Sequence, residues 1–285
     1  PNVYGSMAAW ILKIPVISNI SGLGTVFLKD KISYRIARLL YKISLKVPQK
    51  VFYQNSNDRE ILVKSKYVEE KNTDLIPGSG IDTKKFKPFD KTKYQDGVIR
   101  FLFIARLLRD KGLLEYAKAS KKICNYETAE FYVLGSFYPD NPSAINKDDM
   151  KKLEVNYGIK YIGATDDVKS VINEYDCIVL PSYREGMSRV LLEAASMAKP
   201  IITTNVPGCK EVVDDGINGY LCRPKNVEDL RKKMEALINL SEIDRKLMGE
   251  AGRNKMIKEF DERIVIDKYL KTIREILENH ETRSK

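Results

Sequence analysis

The chain has 285 residues, 43% of them hydrophobic, and a formal net charge of +10. That length buries one large core or two moderate ones, and no stretch approaches the ~20 consecutive apolar residues of a membrane-spanning helix. Four cysteines without a CxxC pair and a single His280 exclude a zinc-ligand pattern, so the expectation is a reduced, cytoplasmic protein.

The chain opens on Pro1, with no basic-then-apolar leader, and reads as a fragment or a processed product. Its charge is uneven. Residues 1–95 hold 17 Lys and Arg against 8 Asp and Glu, whereas the remainder holds 32 against 31. A front third this basic calls for an anionic partner. No nucleic-acid motif or glycine-aromatic pattern accompanies the charge, so a membrane surface is expected and nucleic acid is not.

In chain order, residues 3–13 read as a helix and 15–20 as an apolar strand running into Asn19, Ser21, Gly22 and Gly24, which either make a simple turn, the reading the sequence favours, or let a ligand approach the backbone closely. Residues 26–47 read as a two-faced helix. Lys31, Arg35, Arg38, Lys42 and Lys46 recur every three or four positions, with Ile32, Ile36, Leu39, Leu40 and Ile43 as the apolar surface, which suits either a core-packed helix or one lying on an anionic membrane. A strand at 51–54 is followed by Asn55 to Asp58 capping a helix through about Lys66. The polar, proline-containing segment 84–97 reads as a linker.

Beyond it, apolar runs at 98–104, 131–134, 160–162, 177–180, 201–204 and 219–221 alternate with helix-like segments, which argues a parallel sheet covered on both faces, with ligands at the carboxyl ends of its strands. After the first of these strands come Arg106 and, at a helix start, Lys111 and Gly112, two cations expected to converge over the sheet. Asp166 and Asp167 follow the strand at 160–162 as candidate helix caps. After the strand at 177–180, Glu185 sits at a helix entrance and Glu193 eight residues on, nearly on the same face. Leu192, Ala194 and Ala195 flank Glu193, where an unpaired acid is costly unless a polar ligand reaches it. The same helix start, from Gly186, Met187, Ser188 and Arg189 to Val190, offers backbone N–H groups as an anion site. No D-x-D motif is present to seat a divalent ion.

The E-G-x5-L-E pattern from Glu185, with the A-K-P-I-I-T-T-N-V-P-G-C-K-E-V-V-D-D-G-I-N-G-Y-L run after it, resembles the donor-binding core of family-four retaining glycosyltransferases of the GT-B fold. The resemblance covers most of 97–260, and R-L-x3-K-G at Arg106 matches a second family motif, with Ala105 where glycine is common. It implies an α/β chain of two Rossmann-like lobes with parallel sheets, the N-terminal one incomplete. The expected divisions are 1–95 for the remainder of the acceptor lobe and linker, 96–260 for the nucleotide-sugar lobe, and 261–285 for a helix crossing back.

The resemblance also implies roles. Glu185 lies near the donor sugar and Glu193 holds the ribose hydroxyls, while Arg106 and Lys111 hold the diphosphate. Gly163, Asp167 and Val168 contact the nucleobase, and Asn19, Ser21 and Gly22 fall on the acceptor side, where relatives carry a histidine that this chain lacks. No metal or cofactor is implied, and the UDP-sugar is a substrate. The opening PNVYGSMAA and the NISGLGTVF run resemble the branch extending undecaprenyl-diphosphate-linked glycans, hence a lipid-linked acceptor and a peripheral enzyme on the inner face of the plasma membrane, docked through 26–47. The rival readings are a nucleotide-sugar or lipid-binding module without turnover, and a nucleotide-sugar epimerase.

Overall fold

A computed structural model describes residues 2–23, 32–89, 96–123 and 128–284. Gly24, Lys31 with the start of the basic helix, Cys124 and linker residues 90–95 lie outside the described residues. The chain divides into two compact units, one running to Gly80 and resuming at Glu262, the other spanning Ile81–Asp261.

The first unit contains α1 (Asn2–Ile11), β1 (Ile17–Ile20), α2 (Ile32–Ser44), β2 (Lys50–Tyr53), α3 (Ser56–Lys64) and β3 (Thr73–Leu75). Its three strands are parallel in the order β1-β2-β3, with Ile20 opposite Tyr53 and Val51 opposite Thr73. Strand periodicity sends Val51 and Tyr53 to one face and Phe52 to the other. The first pair packs with Ile20, Leu45 and Leu62, while Phe52 packs with Ile76 and with Val265 of the C-terminal helix, Glu262–Ser284. The Phe52 ring lies 4.7 Å from that of Tyr269. Asn55 caps α3 by accepting the Asp58 N–H at 2.9 Å. On α2, Ile36, Leu39 and Ile43 face solvent together with Arg35 and Lys42.

The second unit contains β4 (Ile99–Ile104), α4 (Leu113–Ile123), β5 (Ala129–Leu134), α5 (Lys147–Tyr157), β6 (Lys160–Tyr161), α6 (Val168–Asn173), β7 (Cys177–Leu180), α7 (Arg189–Ser196), β8 (Ile201–Thr204), β9 (Gly219–Cys222), α8 (Val227–Ile238) and α9 (Glu242–Lys255). All six strands are parallel, in the order β6-β5-β4-β7-β8-β9. Every residue of β4, β7 and β8 is buried, as a sheet covered on both faces demands. Each of Phe101, Leu102 and Phe103 contributes about 2 kcal/mol by leaving water. The chain steps outward from β4 through β5 to β6, then returns to β7 on the other side of β4. That reversal opens a crevice at the carboxyl ends of β4 and β7.

The unit boundary falls at Gly80 and Ile81, ahead of the segment that its polar composition marks as a linker. Phe86, buried in the core of the second unit, is the reason. Arg253 and the Ser196 hydroxyl donate to the Phe86 carbonyl at 3.2 and 2.5 Å, and Ile81 N–H donates to Phe260 O at 2.8 Å. One aromatic anchor commits an otherwise hydrophilic stretch.

Candidate active site

Two loops leave the carboxyl edge of the second sheet on either side of the crevice, 105–112 after β4 and 181–188 after β7. They are pressed together by a glycine. Gly112 ends the first loop at φ +79°, and a Cβ there would lie 2.1 Å from the Pro181 carbonyl oxygen. Backbone ties complete the contact, with Tyr183 N–H donating to Asp110 O at 2.9 Å and the Ser182 hydroxyl to the same oxygen at 3.3 Å. From the other side, Gly208 at φ +82° packs on the backbone of Glu185, whose N–H donates to Pro207 O at 3.1 Å.

This bracing delivers Lys111 to Glu185, Nζ to Oε1 at 2.6 Å, with the two side chains 15% and 14% exposed. Close by, burial and the Glu185 carboxylate push the Cys209 thiol up to about 12, so it stays a neutral packing group. Eight residues on, Glu193 is buried on α7, and its carboxylate accepts from Arg189 Nε at 2.9 Å. Desolvation raises the Glu193 carboxyl above the usual range, with Arg189 pulling it back. Each of the two acids is therefore held by a different cation.

Arg106 takes a third position. Its guanidinium lies over the Tyr138 ring at 5.0 Å. With Ser136, Thr165, Asp166, Val168 and Val190 it lines a cleft of about 440 Å³ at the ends of β4, β5 and β6 and the start of α7.

Lys111 is engaged by the Glu185 carboxylate, while Arg106 lies over the Tyr138 ring. Two expectations are corrected. The Ser188 N–H is not open to an anion, because it donates to Gly208 O at 2.9 Å, and the helix itself begins at Arg189. Ser188 makes no side-chain cap, so the N–H groups of Arg189, Val190 and Leu191 are the ones without an intrahelical acceptor. Finally, Asp167 and Gly163 do not line the cleft. The Asp167 carboxylate caps α6 by accepting the Ser170 N–H at 3.2 Å, and the Gly163 carbonyl accepts from Gly135 N at 2.8 Å, leaving Thr165, Asp166 and Val168 to face it.

In the first unit, Asn19, the penultimate residue of β1, has a buried Oδ1 without a hydrogen-bond partner, ahead of an exposed Ser21 and a Gly22 at φ +148°. Sequence reasoning missed Tyr138, Tyr183 and Glu115 as parts of the edge. The signal for the tyrosines was an aromatic residue four positions after the end of β5 and three after the end of β7.

Comparison with known proteins gives this arrangement a class. Solved structures of sucrose-phosphate synthase from Thermosynechococcus elongatus (TM-score 0.83, 17% identity, 97% of this chain and 72% of that one) and of Anabaena HepE in complex with UDP (TM-score 0.82, 16% identity, 96% and 76%) share the fold, which is that of the GT-B glycosyltransferases. Among curated sequences, the chain is 27% identical to the N,N'-diacetylbacillosaminyl-diphospho-undecaprenol alpha-1,3-N-acetylgalactosaminyltransferase of Campylobacter jejuni, over 98% of this chain and 75% of that protein. It is 26% identical to the UDP-Gal:alpha-D-GlcNAc-diphosphoundecaprenol alpha-1,3-galactosyltransferase of Escherichia coli, over 91% and 69%. The profile described as glycosyl transferases group 1 matches residues 84–255, and the chain belongs to that family. It is a glycosyltransferase.

Proposed function

We propose that this enzyme moves a hexose or N-acetylhexosamine from a UDP-sugar, with retention, onto a lipid-linked glycan acceptor of the undecaprenyl-diphosphate type. The observation that carries the donor half is the cleft beside an arginine, a lysine–glutamate pair and the open start of α7, all on one edge of the sheet. Breaking the bond to a diphosphate builds negative charge on the leaving oxygen. Arg106, Lys111 and the first-turn amides of α7 neutralise it, Glu185 lies by the donor sugar, and Glu193 accepts from the ribose hydroxyls once Arg189 turns aside. Fixed donors of this kind typically contribute on the order of 10²-fold each to rate.

The acceptor half rests on the names of the Campylobacter jejuni and Escherichia coli relatives. No helix among the described residues is long and apolar enough to cross a membrane. The enzyme reaches its acceptor by peripheral docking on the inner face of the plasma membrane. Support comes from α2, where Ile36, Leu39 and Ile43 share the solvent face with Arg35 and Lys42. No metal takes part in this scheme.

Isothermal titration of UDP, GDP and their sugars tests the donor class. UDP binding with micromolar affinity that persists in EDTA is expected; binding of GDP alone, or of neither, refutes the reading. Co-sedimentation with vesicles containing phosphatidylglycerol tests the docking.

A further inference from the structure

The loop carrying Glu185 is tied to α4 by a second side-chain pair. The Tyr183 hydroxyl donates to Glu115 Oε1 at 2.7 Å across 68 residues of sequence. Lys225 Nζ lies 4.8 Å from the centroid of the Tyr183 ring, and the Tyr183 N–H is fixed to Asp110 O. Held at its hydroxyl, its ring and its backbone, this tyrosine has one available geometry. Burial and the neighbouring Glu115 raise the phenol's pKa, so its hydroxyl remains a donor. The other carboxylate oxygen, Glu115 Oε2, is buried without a partner, so the pair is maintained at a desolvation cost that packing alone does not require.

The placement gives the pair its purpose. Glu115 stands in the first turn of α4, four residues after Lys111, and Tyr183 stands two residues before Glu185. The Glu115–Tyr183 bond therefore ties the first turn of α4, directly after the Lys111 loop, to the same loop that the Lys111–Glu185 ion pair holds. An ion pair alone fixes a distance; a second tie alongside it also fixes the angle at which both groups face the crevice.

We propose that Tyr183 and Glu115 are positioning residues for transfer: their hydrogen bond sets the aim of Lys111 and Glu185 at the donor diphosphate and sugar. The inference rests on the reading of those two as the donor-contacting pair. Misaiming reacting groups by about 1 Å costs up to 10²-fold in rate while leaving binding made elsewhere in the cleft intact. The pair thus acts on kcat.

The test measures UDP release from UDP-glucose, UDP-galactose, UDP-N-acetylglucosamine and UDP-N-acetylgalactosamine, and in parallel UDP affinity by titration. Tyr183→Phe keeps the ring and its lysine but removes the donor, and kcat is expected to fall about tenfold with UDP affinity within about twofold of wild type. Glu115→Ala is expected to match it. Glu115→Gln, whose amide oxygen still accepts, restores turnover to within about twofold, and the Tyr183→Phe/Glu115→Ala double variant loses no more than either single one. Thermal unfolding separates aim from folding, since a melting shift with unchanged kcat, or losses that add in the double variant, overturns the proposal. Wild-type protein that releases no UDP from any donor and binds none overturns the donor reading together with it. Wild-type turnover matched by Tyr183→Phe overturns this inference alone.

Discussion

Lys111 and Glu185 meet at 2.6 Å although they lie on loops 74 residues apart, and the contact exists because Gly112 lets the first loop close onto the Pro181 carbonyl. Both side chains are largely out of water, so each depends on the other for its charge to be tolerated.

Replacing Lys111 by Met therefore acts twice. The half-buried Glu185 loses its counter-charge, which costs about 2 kcal/mol of stability, and the developing charge on the leaving diphosphate loses a cation, which costs about 10²-fold in transfer. Denaturant unfolding and UDP release measure the two separately. The double change Lys111→Met/Glu185→Gln recovers much of the stability and none of the rate, an outcome that separates the structural role of the pair from its chemical one.

Gly208 gives a test of the opposite wall. At φ +82° a side chain is strained, and its Cβ would lie 2.5 Å from the carbonyl carbon and oxygen of Glu185. Gly208→Ala is expected to destabilise the fold by about 2 kcal/mol and to reduce transfer far more than UDP affinity, because the backbone it displaces carries Glu185 and not the cleft. Melting temperature with the kcat-to-affinity split checks it.

Much of this edge was legible in the sequence, for reasons that also mark where legibility ended. Buried parallel strands announce themselves as continuous apolar runs, and the acid at 193 stood out because Leu192, Ala194 and Ala195 surround it; the structure buries all four. Phe86 did not show, because one aromatic residue among lysines carries no periodicity. The start of α7 shifted from Gly186 to Arg189 because a carbonyl from a distant loop, that of Gly208, takes the Ser188 N–H, and local pattern holds no record of such a partner. The Tyr183–Glu115 bond is invisible for the same reason.

The raised carboxyl of Glu193 has a consequence for stability. Its native pKa lies above the ordinary value of 4.5, so the folded protein retains a proton that the unfolded chain has already released. Stability accordingly falls as pH rises from that value through the native one. Glu193→Gln removes the titrating group and still accepts from Arg189. It is expected to raise the melting temperature by about 2 °C at pH 7 and to leave it unchanged near pH 4, while UDP affinity falls about tenfold. A variant equally stabilised at both pH values would show that the carboxylate carries no desolvation penalty.

The cleft beyond β6 makes the last prediction, which turns on two neighbouring side chains. Asp167 caps α6 and does not line the cavity, whereas Thr165 does line it and accepts the Asp167 N–H at 3.0 Å. Asp167→Ala is expected to lower the melting temperature slightly and to leave UDP affinity within about twofold. In Thr165→Asp a carboxylate oxygen still accepts that N–H, so the turn is kept, but a negative charge now faces the cleft proposed for the nucleotide. UDP affinity is expected to drop about tenfold, with part of the loss recovered in 0.5 M salt, where screening shortens the reach of the charge to a few ångströms. Titration at two salt concentrations measures both effects. Loss of affinity in Asp167→Ala, with none in Thr165→Asp, would put the base against the cap of α6 and empty the cleft of its proposed role.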